Sequence, residues 1–332
     1  MRPRHAPSDP SRVTRRAAGR GHLVWWGAIV LAAACERKAA PKAPDSVIGS
    51  TQSVPVTATS PSVPRVSGWN AEAGTALLVH GESGDALVVV PGAPGDSSTD
   101  GALGAVDTVL PSDVALFSRS GMAGHARAEL ALPAATASGD CVRWPTARLG
   151  PAAGTDAVPP WTVGFAGGAP LPLALDSLES AAPADSAGLA ASVTRLASAL
   201  TDDTVRALRG VPFTVRSARR FDMPDGTQGV VAVLTRALNQ EASPIGEHIL
   251  LVAERPAGAP ASAWSEAYHE RVAGSEDEVA STEMLAAVAL GARRRPTIVL
   301  ARALSDGNRY SLLERTGPRA WRVRWTSVEG GC

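Results

Sequence analysis

Residue types that serine hydrolases use occur together in one short stretch of this chain. His80, Glu82, Ser83 and Asp85 fall within six residues. The members of a hydrolytic triad must converge from separate elements, however, and the chain contains no Gly-x-Ser-x-Gly nucleophile motif. Two glycines that flank Glu82 and Ser83 between apolar runs are typical of a tight turn. The sequence therefore predicts a hairpin tip at residues 81–84 and no catalytic residues there.

A histidine pair is the second arrangement that could do chemistry. His269 begins half of a His-Glu-x-x-His zinc motif, but Ala273 occupies the second ligand position, and the segment is predicted to be a strand. His248 lies on the preceding predicted strand, and a hairpin centred near residues 259–260 pairs it with about Val272. In that register the two histidines face opposite sides of the sheet. A slip of one residue would bring them together, so a metal-binding pair stays open as an alternative.

Acidic turns and tryptophans are further binding candidates. Residues 222–226 and 305–308 combine Asp with Gly but lack the additional oxygen ligands of a calcium site, so they are predicted to be turns. Four tryptophans could form a carbohydrate or peptide platform, although strand tryptophans in a chain poor in Phe and Tyr are expected in the core. These are Trp69, Trp144, Trp161 and Trp264. The sequence predicts no metal and no cofactor.

The composition excludes several classes of protein. All but two of the 32 basic residues are arginine, and Lys38 and Lys42 lie outside the predicted globular part. A Schiff-base lysine or a phosphate-binding Walker lysine is therefore excluded there. Without residues 1–34 the chain has 26 basic and 31 acidic side chains, a net charge of about −5. Nucleic acid is not an expected partner.

The N-terminal region indicates export and anchoring. Six arginines precede the apolar run Leu23–Ala34, which is shorter than the roughly 20 residues of a spanning helix. The tetrapeptide Ala32-Ala33-Ala34-Cys35 resembles the lipobox of bacterial lipoproteins, which implies cleavage before Cys35 and its lipidation. In that family Asp usually follows the cysteine when the protein stays in the inner membrane. Glu36 stands there, so we expect the periplasmic face of the outer membrane.

Two alternatives to this interpretation of the leader remain open. The first is an ordinary secretory signal with a cysteine at the cleavage site by chance. The second concerns the export route, because Arg15 and Arg16 allow a twin-arginine signal as well as the general secretory route.

Lipidation of Cys35 would leave two cysteines, Cys141 and Cys332. In an oxidising periplasm the simplest state of this pair is an intrachain disulfide. Two free thiols or an intermolecular bridge are the alternatives.

The spacing of apolar residues predicts a mainly β chain, with antiparallel meander sheets in two β-rich halves arranged as a sandwich or a propeller. A Pro/Ala/Ser/Thr-rich tether spans 35–67, a β-rich domain 68–170, a helical connector 171–210 and a β-meander domain 211–332. The connector contains a helix over 185–200, capped by Asp185 or Ser186, and a second helical piece over 202–209. Eight strands are predicted after residue 211.

The end of the second half carries two further predictions. Alternation along the last strand places Trp321, Val323 and Trp325 on one buried face. Residues 291–300, 308–315 and 321–323 resemble a degenerate blade of the integrin-type (FG-GAP) propeller family. The resemblance implies a strand-turn-strand rhythm. It implies no calcium site, because arginines 293–295 replace the family's acidic loop.

These observations favour a membrane-tethered periplasmic lipoprotein that acts as a non-enzymatic binding or scaffolding module. Its expected partners are the membrane, through the lipid anchor, and a protein or polymer of the cell envelope. A periplasmic hydrolase with a site assembled from distant His, Ser and carboxylate residues is the alternative. A pocket that holds two of the histidines 80, 125, 248 and 269 with a carboxylate would favour the hydrolase.

Overall fold

A computed structural model describes residues 68–330, apart from 82–83, 92–109, 111, 130–143, 179–180, 201–204, 239–243, 276–278 and 305–306. All of these residues belong to one compact unit, Pro61–Cys332. The described part of this unit is mainly β, with antiparallel sheets and one α-helix, so the predicted fold class is confirmed.

The first half of the unit is a closed six-stranded barrel. Its strands are β1 (Ala76–His80), β2 (Ala86–Val89), β3 (Asp113–Ser118), β4 (Gly121–Glu129), β5 (Thr146–Pro151) and β6 (Val163–Ala166). They follow the order β1-β2-β5-β4-β3-β6, and β6 closes the barrel by pairing with β1. The predicted hairpin between β1 and β2 is confirmed: the Gly81 amide donates to the Asp85 carbonyl.

The barrel interior is narrow and is filled by small side chains. Ala76, Ala86, Ala126, Ala147 and Ala166 are fully buried there with a few larger aliphatic residues. A Cβ atom at Gly164 would lie only 2.8 Å from Cγ1 of Val114. Six strands enclose less space than the eight that just accommodate larger side chains, which accounts for this composition.

Two five-stranded sheets follow. The short strands β7 (Leu171–Pro172) and β8 (Leu175–Ser177) precede β9 (Thr214–Asp222), β10 (Gln228–Leu238), β11 (Ile245–Arg255), β12 (Ser265–Ser275), β13 (Ser281–Leu290), β14 (Arg295–Leu304), β15 (Gly307–Gly317) and β16 (Ala320–Thr326). The helix-side sheet has the order β12-β11-β10-β9-β8, and the middle sheet has the order β16-β15-β14-β13-β7. All eight strands predicted after residue 211 are therefore present, but they form two meanders.

The helix of the connector, α1 (Pro183–Ala199), covers the helix-side sheet. It begins at Pro183 with Ala182 as its N-cap, so the prediction that Asp185 or Ser186 caps it was wrong. Proline suits the first turn of a helix because its missing N–H would have no intrahelical partner there. Val193 and Ala197 pack on the sheet, and a short 3₁₀ turn, Arg206–Leu208, lies within the second predicted helical piece.

The elements stack as helix, helix-side sheet, middle sheet and barrel. One core lies between the helix and the helix-side sheet, another between the two sheets, and a third between the middle sheet and the barrel wall. The middle sheet is therefore buried on both faces. No described helix is long and apolar enough to cross a membrane.

The prediction for the last strand was wrong. Trp321 and Trp325 are buried, but Val323 is 37% exposed. The register of β16 against β15 shifts between Leu312 and Leu313, which indicates a β-bulge around Arg324. A bulge inserts one extra residue, so the alternation of faces is broken between Trp321 and Trp325.

Candidate binding cleft and buried charge networks

An open cleft lies at one end of the barrel. His80 at the end of β1, Arg148 on β5 and the loop residues Pro159, Pro160 and Trp161 line it, together with Gly84, Leu149 and Val158. Its volume is about 340 Å³. The rings of His80 and Trp161 meet edge to face with their centroids 5.1 Å apart. The hydrogen bond from the Gly81 amide to the Asp85 carbonyl fixes the backbone just after His80, and the two prolines restrict the backbone that carries Trp161.

The described lining of this cleft carries groups that suit ligand binding. Trp161 and the prolines present apolar surface, and Arg148 is exposed and supplies a guanidinium. A guanidinium is a preferred partner of carboxylate groups because it offers parallel N–H donors. Among the described residues, no carboxylate and no serine line the cleft. The described lining therefore lacks the groups of an acid–base pair or of a nucleophile with its base.

The four histidines of the hydrolase hypothesis lie apart. His80 is in the cleft, and His125 on β4 is 3.4 Å from Asp113. His269 is 3.0 Å from Glu266 on the same strand. His248 is buried opposite Val272, in the predicted register, and His269 is opposite Leu251, so the two face opposite sides of the sheet. Among the described residues, no group of three His, Cys, Asp or Glu could hold a metal ion.

His248 belongs to a polar cluster where the two sheets meet. Its Nε2 atom lies 3.1 Å from both the amide nitrogen and the carbonyl oxygen of Thr282. Burial lowers the pKa of His248, although the Thr282 contact and the charge of Glu270 oppose this. The neutral ring accepts a hydrogen bond from the Thr282 amide.

Glu270 is the carboxylate of the same cluster. It accepts hydrogen bonds from Arg302, whose Nε lies 2.9 Å from Oε2, and from the Tyr268 hydroxyl. Burial would raise the pKa of Glu270, but these hydrogen bonds outweigh it and hold the pKa below its ordinary value. Ser311 contacts Arg302 and Thr326. No described histidine contacts a serine or threonine hydroxyl in this cluster, so it lacks a nucleophile–base pair.

Two other buried carboxylates are also bound by arginines. Glu254 accepts hydrogen bonds from Arg315 at 2.8 and 3.0 Å, from the Arg319 amide at 2.9 Å and from Nε1 of Trp321 at 2.7 Å. Glu247 lies 2.7 Å from Arg236 and 2.5 Å from Arg271. In these arrangements the arginines neutralise the buried carboxylates, and the ion pairs hold neighbouring strands or sheets together. They leave these carboxylates no free oxygen for acid–base work.

The remaining predicted site residues have different outcomes. Cys35, Cys141 and Cys332 lie outside the described residues, so the lipidation and the disulfide stay predictions. Trp144 and Trp264 are buried, as expected for core tryptophans. The turn at 222–226 is confirmed by the hydrogen bond from the Gly226 amide to the Met223 carbonyl, and residues 305–306 lie outside the described part. The FG-GAP resemblance also stays a prediction.

Sequence reasoning named Trp161 as a candidate binding residue but did not place it beside His80, and it missed Arg148. Arg148 lies on β5, a strand whose alternation was too weak to predict. The consecutive prolines 159–160 just before Trp161 were the available signal, because they hold an aromatic residue on a stiff loop. No protein-family model matches this chain, and no curated protein or solved structure matches it.

Proposed function

We propose that this protein is a membrane-tethered binding module of the periplasm, which uses the cleft at the barrel end to hold a carboxylate-bearing segment of an envelope polymer or protein. The proposal combines the lipobox resemblance at Cys35 with the chemistry of the cleft. The lipid would attach the protein to the periplasmic face of the outer membrane. The cleft would hold the partner.

The juxtaposition of Trp161, His80 and Arg148 carries the proposal. An indole packed edge to face against His80 is held in place, and it offers a flat apolar surface to a sugar ring or a peptide side chain. Arg148 adds a cation beside it. Open clefts with aromatic surface and one charged group favour extended ligands, since such ligands need contact along their length but no enclosure.

A binding measurement with soluble peptidoglycan fragments tests this proposal. These fragments combine sugar rings with carboxylate-bearing peptides, and their binding to the full-length protein in neutral detergent can be followed by calorimetry. We expect Trp161→Ala and Arg148→Gln each to weaken binding about tenfold, which corresponds to a loss of about 1.4 kcal/mol of binding free energy. His125→Gln, on β4 outside the cleft, is the matched control. Equal affinities of all variants would reject the cleft as the site.

The same experiment addresses the hydrolase alternative. If the fragments are cleaved during incubation, mass spectrometry detects the shorter products. Cleavage that survives Trp161→Ala would indicate an enzymatic site elsewhere in the chain.

The anchor is tested separately by mass spectrometry of the N-terminal peptide of the membrane-extracted protein. We expect the mature chain to begin at Cys35 and to carry acyl chains, because two or more chains are needed for a stable anchor. An unmodified peptide that begins at any other residue would refute the anchor and leave the binding cleft unaffected.

A further inference from the structure

Six arginines lie together at one end of the middle sheet. Arg293 and Arg294 are in the turn between β13 and β14, Arg319 is in the turn between β15 and β16, and Arg295, Arg322 and Arg324 are on the adjoining strands. The pairings Leu290 with Arg295 and Gly317 with Ala320 place both turns at the same end of the sheet. We call these six residues the arginine face.

The arginine face has a large excess of positive charge. Glu314 is opposite Arg322 in the register, and it lies 2.6 Å from Arg295 and 3.9 Å from Arg324. The side chains of Arg293, Arg294 and Arg322 are exposed and form no ion pair with any described carboxylate. Among the described residues, Glu314 is thus the one carboxylate that pairs with any of these six guanidinium groups. This concentration is notable because residues 35–332 together have a net charge of about −5.

The chain enters the folded unit at this face. Gly68, the first described residue, lies so close to β16 that a Cβ atom on it would meet the Arg324 carbonyl oxygen. Trp69 packs against Trp325 with ring centroids 4.7 Å apart, and the side-chain nitrogen of Asn70 lies near Gly291 in the arginine turn. Glu72 is the acidic residue of this entering segment. The tether therefore joins the unit beside the arginine face.

The length of the tether limits how far this face can move from the anchor. A chain of 33 residues spans at most about 110 Å. A unit of about 265 residues has a radius of gyration of about 18 Å. The arginine face is thus kept at high local concentration near the surface to which Cys35 would be attached.

We propose that the arginine face is a docking surface for the anionic phosphate headgroups of that membrane. Guanidinium groups bind phosphate with two parallel hydrogen bonds, and several arginines close to a surface add their electrostatic attraction. In the docked orientation the cleft would point away from the membrane. The entering segment lies at the start of β1, where the Trp69 side chain donates a hydrogen bond to the Gly74 carbonyl. His80, which lines the cleft, lies at the other end of β1. The protein would then present its cleft to the periplasm.

Hydrogen exchange on the full-length protein tests this docking. The protein is reconstituted in vesicles of phosphatidylcholine alone or with about one third phosphatidylglycerol, and exchange is measured by mass spectrometry. We expect amide exchange in the turns 291–294 and 317–320 to slow at least about threefold in the anionic vesicles, and salt at about 0.5 M to abolish the difference. Retention of the protein on the neutral vesicles reports the anchor separately.

Charge-neutralising variants make the test specific. Arg293→Gln combined with Arg322→Gln and Arg324→Gln should abolish the protection. Arg293→Gln with Arg294→Asn, confined to an exposed turn, should reduce it even if the triple variant folds poorly, and Asn suits the positive φ of 48° at position 294. The matched control replaces three arginines of the other sheet, Arg216, Arg219 and Arg220, by Gln and should keep the protection.

Three results would overturn the proposal. The first is equal exchange in neutral and anionic vesicles. The second is protection that persists in the turn variant and in the triple variant. The third is protection by soluble polyglutamate without protection by anionic vesicles, which would assign the arginine face to an acidic protein partner.

Discussion

Trp321 and Trp325 lie on the same strand four residues apart, yet their side chains enter different cores. Trp321 packs between the two sheets, where it contacts Phe221 and donates to Glu254. Trp325 packs on the opposite side, between the middle sheet and the barrel. The bulge in β16 lets one strand contribute a large aromatic residue to each face of a sheet that is buried on both sides.

This relationship predicts unequal effects along β16. Val323→Asp should lower the free energy of unfolding by about 0.5 kcal/mol or less, because Val323 is partly exposed. Trp321→Ala and Trp325→Ala should each lower it by about 3 kcal/mol, since each leaves a cavity in a core. Urea denaturation followed by circular dichroism measures these differences. A loss of several kcal/mol for Val323→Asp would show that the strand is regular and that the bulge is wrong.

The Glu254 network predicts a second stability difference. Glu254→Gln should lower the free energy of unfolding by about 3 kcal/mol, because it removes the negative charge that balances Arg315 in a buried position. Asp225→Asn removes the other partner of Arg315, but Asp225 is partly exposed, so its loss should cost about 1 kcal/mol or less. Thermal and urea unfolding of the two variants give the comparison. If both substitutions cost the same, the assignment of Glu254 as the principal partner of Arg315 fails.

The buried His248 predicts a loss of stability in mildly acidic solution. Because its pKa in the folded protein is below the ordinary value of 6.5, the unfolded chain takes up this proton first as the pH falls. Stability should therefore decrease by up to about 1 kcal/mol between pH 7.5 and 5.5. The lowered pKa of Glu270 affects stability only below pH 4.5, which is the ordinary pKa of this group. Protonation there removes its hydrogen bond to Arg302 and lowers the free energy of unfolding further.

Variants separate the His248 contribution from that of other groups. In His248→Gln the slope of the unfolding free energy against pH should become flatter over this window, whatever its absolute stability. The control His80→Gln replaces an exposed histidine and should keep the slope of the unmodified protein. An unchanged slope in His248→Gln would contradict a neutral, buried His248.

The cysteines outside the described residues carry the fourth prediction. An intrachain disulfide between Cys141 and Cys332 would close a loop of about 190 residues and should stabilise the protein by about 5 kcal/mol in the chain-entropy account. Alkylation of protein purified without reductant, followed by peptide mass spectrometry, decides whether the bridge is present. Two alkylated cysteines would exclude the bridge, and a linked dimer would indicate the intermolecular alternative.

Much of the fold was predictable because strands leave a local pattern in the sequence. Apolar runs between turn residues identified all eight strands of the second half, and the register of His248 with Val272 followed from the position of one turn. The second half nevertheless forms two sheets where one meander was expected. Hairpin signals specify which strands are neighbours in sequence, but the point at which the chain leaves one sheet for another depends on packing.

The sequence by itself determined the class of the fold, most strands, the helix and the opposite facing of His248 and His269, since each depends on local periodicity or on a short turn. Only the tertiary structure decided which side chains share a site. His80, Arg148 and Trp161 come from three segments that barrel closure brings together. The bulge in β16, which separates Trp321 from Trp325, likewise left no mark on the sequence, because alternation shows which residues are apolar but not where one strand carries an extra residue relative to its partner.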